Sequence, residues 1–229
     1  MASSSVVVLI AYLVATFLVC GIPFGKIIAR TKGVDIQKVG SGNIGTTNVA
    51  REIGKGAAAA TLLFDAGKGA LATGLATVLF PVYVTQGAGV APTDPAAWTV
   101  GLVMLAAIWG HIFSPFLGFH GGKGIAVGVG SLLGFVWPVG LILLGIFAVL
   151  VGLTKRVSVG SVTVAALVGV VLALFYGPNL PLDAIVELAG LTVVWAHRSN
   201  IRKLARGEES AFHFHKDGEA PTPTGHGAQ

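Results

Sequence analysis

Charged residues are scarce in this sequence: Asp, Glu, Lys and Arg make up 11% of its 229 residues. Soluble globular domains contain about 25% charged residues, so the composition excludes an ordinary soluble fold. The hydrophobic share of 54% and the mean hydropathy of +0.82 indicate an integral membrane protein. Because charges inside a membrane are costly, the few that occur are the first candidates for a functional site.

Cysteine is nearly absent, and Cys20 is the only one. A single thiol excludes an intramolecular disulfide framework and a cysteine-ligated metal cluster. We expect it to be an inert, lipid-facing thiol in the first apolar run, which lacks a basic n-region and is predicted to be a retained anchor. His213 and His215, near the C-terminus, have no third ligand nearby, so we predict that the chain binds no metal.

Long apolar runs organise the chain, at residues 6–22, 57–85, 96–119, 124–153, 157–176 and 182–196. A bilayer core needs about 20 helical residues, so most runs span once. The run 124–153 is too long for one comfortable crossing, and we expect two short, tilted helices with a turn at Pro138. The sequence therefore predicts an all-α integral membrane protein, a compact bundle of seven transmembrane helices, with five long helices as the alternative.

Lysine and arginine follow a one-sided pattern, which predicts the topology. Apart from Lys68, all of them lie in segments 24–56, 117–124 and 154–158 or after Ala196. Basic residues favour cytoplasmic loops, so we expect the N-terminus outside and the C-terminus in the cytoplasm. The five-span alternative would place Lys155 and Arg156 outside, so seven spans are preferred. Residues 1–207 are predicted to form one domain, and 208–229 a polar, mobile tail.

The first polar segment is GSGNIGTTNVAR, residues 40–51. It matches the dinucleotide pattern GxGxxG, but no strand precedes it and no βαβ unit surrounds it, so the match is accidental. The glycines expose N–H groups, Ser41, Asn43 and Asn48 add side-chain donors, and the Arg51 fork suits phosphate. The alternative is a tight re-entrant turn in which Arg51 contacts carbonyls or lipid headgroups.

The second polar segment is GHIFSPFLGFHGGKG, residues 110–124. The glycines around Lys123 immediately precede a helix, so N–H groups, helix dipole and ammonium converge on an anion site. It is not a Walker A loop, because Gly124 stands where Ser or Thr would follow the lysine. The alternative for Lys123 is an anchor that reaches lipid headgroups. His111 is expected to be a packing histidine.

The third polar segment is HRSNIRKLARGEE, residues 197–209. His197 and Asn200 lie three residues apart and share a helix face. The basic residues around them are expected to anchor the helix to headgroups, namely Arg198, Arg202, Lys203 and Arg206.

Two smaller features lie inside the apolar runs. Asp65 and Lys68 are at i, i+3 in the second run, a spacing that predicts mutual neutralisation. Ser161, near the start of the sixth span, is expected to touch a ligand or to cap the helix.

The three polar segments all belong to the predicted cytoplasmic side, and each has groups suited to phosphate. Together they predict one interfacial pocket for an anionic, amphiphilic substrate. Two classes of function remain on this basis: a lipid-modifying enzyme, or a membrane transporter of a phosphorylated solute. Nothing in the pattern indicates a nucleic-acid partner.

The three segments, with FDAGKG between the first two, resemble the acyl-phosphate-dependent glycerol-3-phosphate acyltransferases of the PlsY family. The resemblance runs from the first helix to about Glu209. It implies a seven-helix bundle in the cell inner membrane, with its active site facing the cytoplasm. It implies acyl transfer from acyl phosphate to the sn-1 hydroxyl of glycerol 3-phosphate, giving lysophosphatidate and phosphate, the first step of bacterial phospholipid synthesis. Membrane lipid is the surrounding partner, and no cofactor is expected.

The residues themselves and the resemblance together imply roles for individual residues. The catalytic set is expected to be Ser41, Arg51, Lys123, His197 and Asn200. The substrate phosphates are expected to contact Gly40, Gly42, Asn43, Asn48, Gly121, Gly122, Gly124 and Ser161. Asp65, Lys68 and Glu209 are expected to be structural, and the general base is His197 or a substrate phosphate oxygen. His120 and Pro115 depart from the family pattern without touching the central groups.

Overall fold

The computed structural model describes residues 2–209 and 211, which contain helices and no strand. The predicted tail from residue 208, with His213 and His215, lies outside the described residues except for Glu208, Glu209 and Ala211. The helices are α1 Ser3–Gly21, α2 Phe24–Thr31, α3 Thr46–Glu52, α4 Lys55–Tyr83, α5 Trp98–Ile112, α6 Ile125–Phe135, α7 Trp137–Thr154, α8 Val157–Tyr176, α9 Leu180–Ala196 and α10 Arg198–Ala205. A short 3-10 turn, Pro115–Leu117, follows α5.

The apolar helices confirm the predicted all-α membrane fold. Within the described chain, five helical segments are long and apolar enough to cross a membrane, and α9 and α10, which meet at a bend of 58°, meet the same criterion only when they are taken together. The seventh apolar helix, α6, has 11 residues and a length of about 17 Å, which is shorter than a bilayer core of about 30 Å. The described residues therefore contain seven apolar helices, while seven complete crossings and the orientation stay predictions.

The long run 124–153 forms two helices, as expected, but the break lies earlier than predicted. α6 ends at Phe135 and α7 begins at Trp137, so the chain turns at Val136. Pro138 is in the first turn of α7, where an N–H has no intrahelical acceptor. The proline is therefore a helix start rather than the turn itself.

Glycine permits the closest helix contacts of the bundle. A Cβ on Gly130 of α6 would lie 1.9 Å from the carbonyl oxygen of Ala66 in α4. A Cβ on Gly110 of α5 would lie 2.2 Å from the carbonyl oxygen of Phe17 in α1. Small residues at such crossings allow the close van der Waals packing that drives helix association in lipid.

The Cys20 thiol does not face lipid, and that expectation was wrong. Cys20 is fully buried in the apolar core that also contains Met104 and Ile108, and its Sγ lies 3.8 Å from the carbonyl oxygen of Lys68. The reason is that α1 turns its small residues towards α4 and α5. Large side chains cover the outer surfaces instead, with Leu153 and Leu174 each more than three-quarters exposed.

The buried charges of α4 pair with each other, as predicted. The Lys68 Nζ lies 2.7 Å from Asp65 Oδ1, and the side chains are 4% and 2% exposed. Lys68 also donates to the carbonyl oxygen of Ile22 at 2.9 Å. Because an unpaired charge here would cost about 3 kcal/mol, the pair allows both groups to remain inside the bundle.

Candidate active site

One open cavity of about 560 Å³ lies where the three polar segments meet. The structure therefore brings the three polar segments together around one pocket, as the sequence predicts. The cavity is lined chiefly by Gln37, Ser41, Gly42, Asn43, Ile112, Phe113, Phe119, His120, Gly121, Gly122, Lys123, Trp195, Arg198, Ser199, Asn200, Arg202 and Lys203.

Asn48 organises the first segment from behind. It is 2% exposed, and its Oδ1 accepts a hydrogen bond of 2.9 Å from the Ser41 N–H. Its Nδ2 donates to the carbonyl oxygens of Val39 and Ile36. Gly40 has φ +56°, and a Cβ there would lie 2.4 Å from Asn48 Oδ1. Asn48 therefore shapes the loop and presents Ser41 to the cavity, and its direct contact with phosphate stays a prediction.

Asn43 continues the same loop at the start of α3. Its Oδ1 accepts a hydrogen bond of 2.7 Å from the Gly45 N–H. Gly42 has φ +69°, and a Cβ there would lie 3.1 Å from the carbonyl oxygen of Gln37. Asn43 and Gly42 both line the cavity, while Gly40 contributes by the turn that it allows.

The N–H groups of the two glycines before Lys123 already have backbone acceptors, and the contact of Gly121 and Gly122 with phosphate stays a prediction. The Gly121 N–H donates to the carbonyl oxygen of Ile112 at 2.9 Å, and the Gly122 N–H donates to that of His111 at 3.1 Å. The chain folds back onto the end of α5 because neither glycine has a side chain. Gly124, with φ +84°, is the N-cap of α6 and lies outside the cavity lining, so the role of the first-turn N–H groups of that helix as donors to an anion stays a prediction.

Lys123 and Asn200 are joined in a hydrogen-bond network. The Lys123 ammonium donates to Asn200 Oδ1. Asn200 Nδ2 donates to Ser158 Oγ and to Glu209 Oε1, each at 2.9 Å. Ser158 also donates to Glu209. The network links the loop before α6 to α8, to α10 and to the end of the third segment.

The charge state of Lys123 depends on its surroundings. Burial lowers the pKa of Lys123 below its ordinary value of 10.5, and the Glu209 carboxylate opposes that shift. The positive charges of Lys203 and Arg51 lower the pKa of Lys123 further. The ammonium is therefore held in a crowded, strongly cationic site that is suited to a multiply charged anion.

The expected site residues outside the cavity lining are Gly40, Asn48, Arg51, Gly124, Ser161 and His197. Arg51 is in the last turn of α3, half-buried, with its charge near enough to influence Lys123. His197 is 4% exposed, and its Nδ1–H donates to the carbonyl oxygen of Val193 at 2.8 Å. Ser161 is 2% exposed within α8. Their contacts with substrate stay predictions.

Arg198, Arg202 and Lys203 line the cavity, although the sequence indicated only headgroup anchoring. The 58° bend between α9 and α10 directs these residues over the cavity. The i, i+4 spacing of Arg198 and Arg202 was a signal that both share a face. The Arg198 guanidinium lies 4.0 Å from the Trp195 ring centroid, at the aromatic edge of the cavity.

Of the two residues that depart from the family pattern, only His120 lines the cavity. His120 is exposed, lines the cavity and contacts the carbonyl oxygen of Gly118 at 2.6 Å. Pro115 begins the 3-10 turn and packs against Gly21 at the end of α1. Neither contacts the network of Lys123 and Asn200.

Comparison with known proteins gives one consistent family. The sequence model described as glycerol-3-phosphate acyltransferase matches residues 10–207. A glycerol-3-phosphate acyltransferase of Trichormus variabilis is 42% identical over 209 residues, covering 89% of each chain. That of Thermus thermophilus is 40% identical over 197 residues, covering 86% of this chain and 92% of the relative.

Two crystal structures show the same fold. PlsY (YgiH), an integral membrane glycerol 3-phosphate acyltransferase, in its glycerol 3-phosphate form has a TM-score of 0.79 and 28% identity, covering 90% of this chain and 96% of that one. Its lysophosphatidic acid form has a TM-score of 0.77 and 27% identity, covering 90% and 95%. The motifs, the family model, the relatives and the solved structures agree, and this chain belongs to the glycerol-3-phosphate acyltransferase family.

Proposed function

We propose that this protein transfers a fatty acyl group from acyl phosphate to the sn-1 hydroxyl of glycerol 3-phosphate, producing lysophosphatidate and phosphate. The observation that carries the proposal is the cavity, which places Lys123, Arg198, Arg202 and Lys203 around one space. Two phosphate-bearing substrates must come together in such a reaction, and their repulsion requires several cations. The PlsY structures in glycerol 3-phosphate and lysophosphatidic acid forms support the same substrate and product.

Acyl phosphate suits the chemistry of this cavity because it is already activated. The hydroxyl oxygen of glycerol 3-phosphate attacks the acyl carbonyl carbon, a new ester C–O bond forms, and the bond to the phosphate oxygen breaks. Phosphate leaves with the electron pair. The protein contributes by holding both anions in reacting geometry and by stabilising charge on the carbonyl oxygen and the leaving group.

The hydroxyl proton needs an acceptor, and the geometry favours a substrate phosphate oxygen over His197. The His197 ring is buried, its Nδ1–H is bonded to the carbonyl oxygen of Val193, and the ring is outside the cavity lining. We therefore assign His197 to the bend between α9 and α10. The leaving phosphate is adjacent to the hydroxyl throughout the reaction and accepts its proton.

Ser41 and Arg51 complete the proposed site from the first segment. Ser41 is exposed to the cavity, and its N–H is fixed by Asn48. We assign it to positioning a substrate oxygen. Arg51 lies close enough to influence Lys123 and has a planar fork, so we assign it to orienting a phosphate.

The amphiphilic donor enters from the membrane, and the polar acceptor enters from the cytoplasm. Phe113 and Trp195 form an apolar edge of the cavity, next to Arg198. The basic residues gathered at this end of the bundle support a cytoplasmic orientation in the cell inner membrane.

The test is an assay of the purified protein in detergent with acyl phosphate and glycerol 3-phosphate. We expect phosphate release to equal lysophosphatidate formation, with Lys123→Ala as the inactive control. Activity with acyl-CoA or acyl carrier protein, and none with acyl phosphate, contradicts the proposed donor. Uptake of glycerol 3-phosphate into vesicles without an acyl product supports the transporter alternative instead.

A further inference from the structure

Behind the glycine loop lies a buried polar cluster that the proposed reaction does not use. It consists of Asp65, Lys68 and His111, and we call it the hub. The Lys68 ammonium lies 2.7 Å from Asp65 Oδ1, 2.9 Å from the carbonyl oxygen of Ile22 and 3.2 Å from His111 Nδ1. Each of the three residues is at most 6% exposed. The hub joins the end of α1 to α4 and α5.

Hydrogen-bond chemistry fixes the state of the His111 ring. An ammonium group has three donors and no acceptor, so the nitrogen that it contacts must be an unprotonated acceptor. The Lys68 ammonium also donates to Asp65 Oδ1 at 2.7 Å. His111 is therefore neutral, with its proton on Nε2, and the hub holds the ring in one orientation.

The opposite edge of that ring meets the glycine loop. A Cβ on Gly122 would lie 2.1 Å from His111 Nε2, 2.9 Å from Cδ2 and 3.0 Å from Cε1. These are its three nearest atoms, and φ of Gly122 is not positive. The His111 ring is therefore the obstacle to a side chain at position 122.

The backbone of the glycine loop also contacts His111. The Gly122 N–H donates to the His111 carbonyl oxygen at 3.1 Å, and a Cβ on Gly121 would lie 2.0 Å from that oxygen. The next residue is Lys123, which reaches Asn200 across the cavity. The ring and the carbonyl group of His111 thus lie directly against the Gly121–Lys123 segment, which carries the Lys123 ammonium.

We infer that His111 is a positioning residue. Its ring is held in place by Lys68, and the contact of the ring with the Gly121–Lys123 loop determines where that loop lies in the cavity. This inference rests on the proposed function, because it assumes that the loop binds a substrate phosphate. His111 acts through the loop and does not touch the substrate. The hub thereby connects the transmembrane helices to the placement of Lys123.

A double-mutant cycle tests the inference, using His111→Asn, Gly122→Ala and the double variant. Asparagine is shorter than histidine but keeps an oxygen that can accept from Lys68, so the hub stays paired. In the wild-type background the added methyl meets the ring, and we expect Gly122→Ala to raise KM for glycerol 3-phosphate about tenfold. In the His111→Asn background the two ring atoms that would lie 2.1 and 3.0 Å from the methyl are absent, and the same change should raise KM less than about threefold.

Gly67→Ala is the matched control, because a Cβ at Gly67 meets no atom within 4 Å. Its effect should be the same in both backgrounds. Thermal unfolding of each purified variant establishes that it is folded, and His111→Ala replaces His111→Asn if the latter does not fold. Binding of glycerol 3-phosphate, measured by calorimetry, gives the cycle a readout that does not need turnover.

The outcomes separate this inference from the proposed reaction. If acyl phosphate is not a donor but glycerol 3-phosphate binds, the proposed acyl donor is wrong. The double-mutant cycle can then still be evaluated from the Kd values for glycerol 3-phosphate. Equal penalties of Gly122→Ala in the two backgrounds overturn the inference. It is also overturned if the coupling appears in Tm alone, or if the wild-type protein binds no glycerol 3-phosphate.

Discussion

The Lys123 ammonium donates a hydrogen bond to the side-chain oxygen of Asn200, 77 residues away. The amide nitrogen of Asn200 donates in the other direction, to Ser158 and Glu209. Because an amide has one accepting end and one donating end, the carboxylate of Glu209 determines which end of Asn200 faces Lys123. Glu209 thus acts on the cavity through Asn200, which gives its predicted structural role a specific target.

Asn200→Asp should severely reduce activity. The substitution replaces the donating nitrogen by a carboxylate oxygen 2.9 Å from Glu209, so two like charges meet. The loss of a hydrogen bond to a charged group costs about 1.5–3 kcal/mol, which predicts a fall of at least about tenfold in kcat/KM. The measurement is lysophosphatidate formation by purified protein. Ile201→Val, at the exposed neighbouring position, is the control, and an active Asn200→Asp enzyme would refute the network.

Ser158 and Ser161 provide a comparison within α8. Ser158 bonds to Asn200 and Glu209, whereas Ser161 lies outside the cavity lining. Ser158→Ala removes one neutral hydrogen bond but leaves Asn200 bonded to Glu209, so we expect a loss of about fivefold in kcat/KM. Ser161→Ala should change it by less than about twofold. A raised KM in Ser161→Ala would instead support the contact between Ser161 and a substrate phosphate that was predicted from the sequence.

The sequence predicts the helices well because each apolar run is a local signal. It also identifies the three polar segments, since glycine and cations are conspicuous beside hydrocarbon. The lipid-facing prediction for Cys20 failed because periodicity does not reveal which side of α1 packs on α5. The bend after Ala196 is likewise a tertiary feature that the sequence does not predict. Without knowledge of the bend, Arg198 and Arg202 are interpreted as residues that anchor the helix to lipid headgroups.

The glycine loop shows the same limit at the level of single hydrogen bonds. From the sequence, the N–H groups of Gly121 and Gly122 are expected to face an anion. In the structure they donate to Ile112 and His111, at the end of the preceding helix. Whether these N–H groups donate to backbone carbonyl oxygens or to a ligand depends on where the loop folds back. Only the packed structure supplies that information.

Arg51→Lys should lower kcat by about 100-fold with little change in KM, because lysine keeps the charge but loses the planar fork that orients a phosphate. Ser41→Ala should act in the same way. The exposed Arg30→Lys substitution in α2 serves as the control and should change kcat by less than about twofold. A raised KM with kcat intact would make Arg51 a docking charge.

The predicted orientation can be tested with single cysteines in a Cys20→Ala background. Ala88 is exposed in the loop after α4, and Lys32 and Arg206 are exposed at the end of the bundle that holds the cavity. Since basic segments favour the cytoplasm, a membrane-impermeant thiol reagent applied outside cells should label Ala88→Cys only. Labels on Lys32→Cys or Arg206→Cys from outside would reverse the topology.

The last prediction concerns the pH dependence of Lys123. A lysine loses its positive charge as pH rises, and burial places the pKa of Lys123 below its ordinary value of 10.5. We therefore expect kcat/KM to fall on the alkaline side, at a lower pH than for an exposed lysine. The Glu209 carboxylate raises the pKa of Lys123, so Glu209→Gln should move this alkaline limb to still lower pH.

Two variants determine whether Lys123 is the titrating group. Glu208→Gln removes a neighbouring exposed carboxylate that does not contact Asn200, and it should leave the alkaline limb in place. Lys123→Arg keeps its charge throughout the range, so any remaining activity should lose the alkaline limb. The measurement is kcat/KM between pH 7 and pH 10.5. An unchanged limb in Lys123→Arg would assign it to another group, and an alkaline shift in Glu209→Gln would contradict the charge interaction between Glu209 and Lys123.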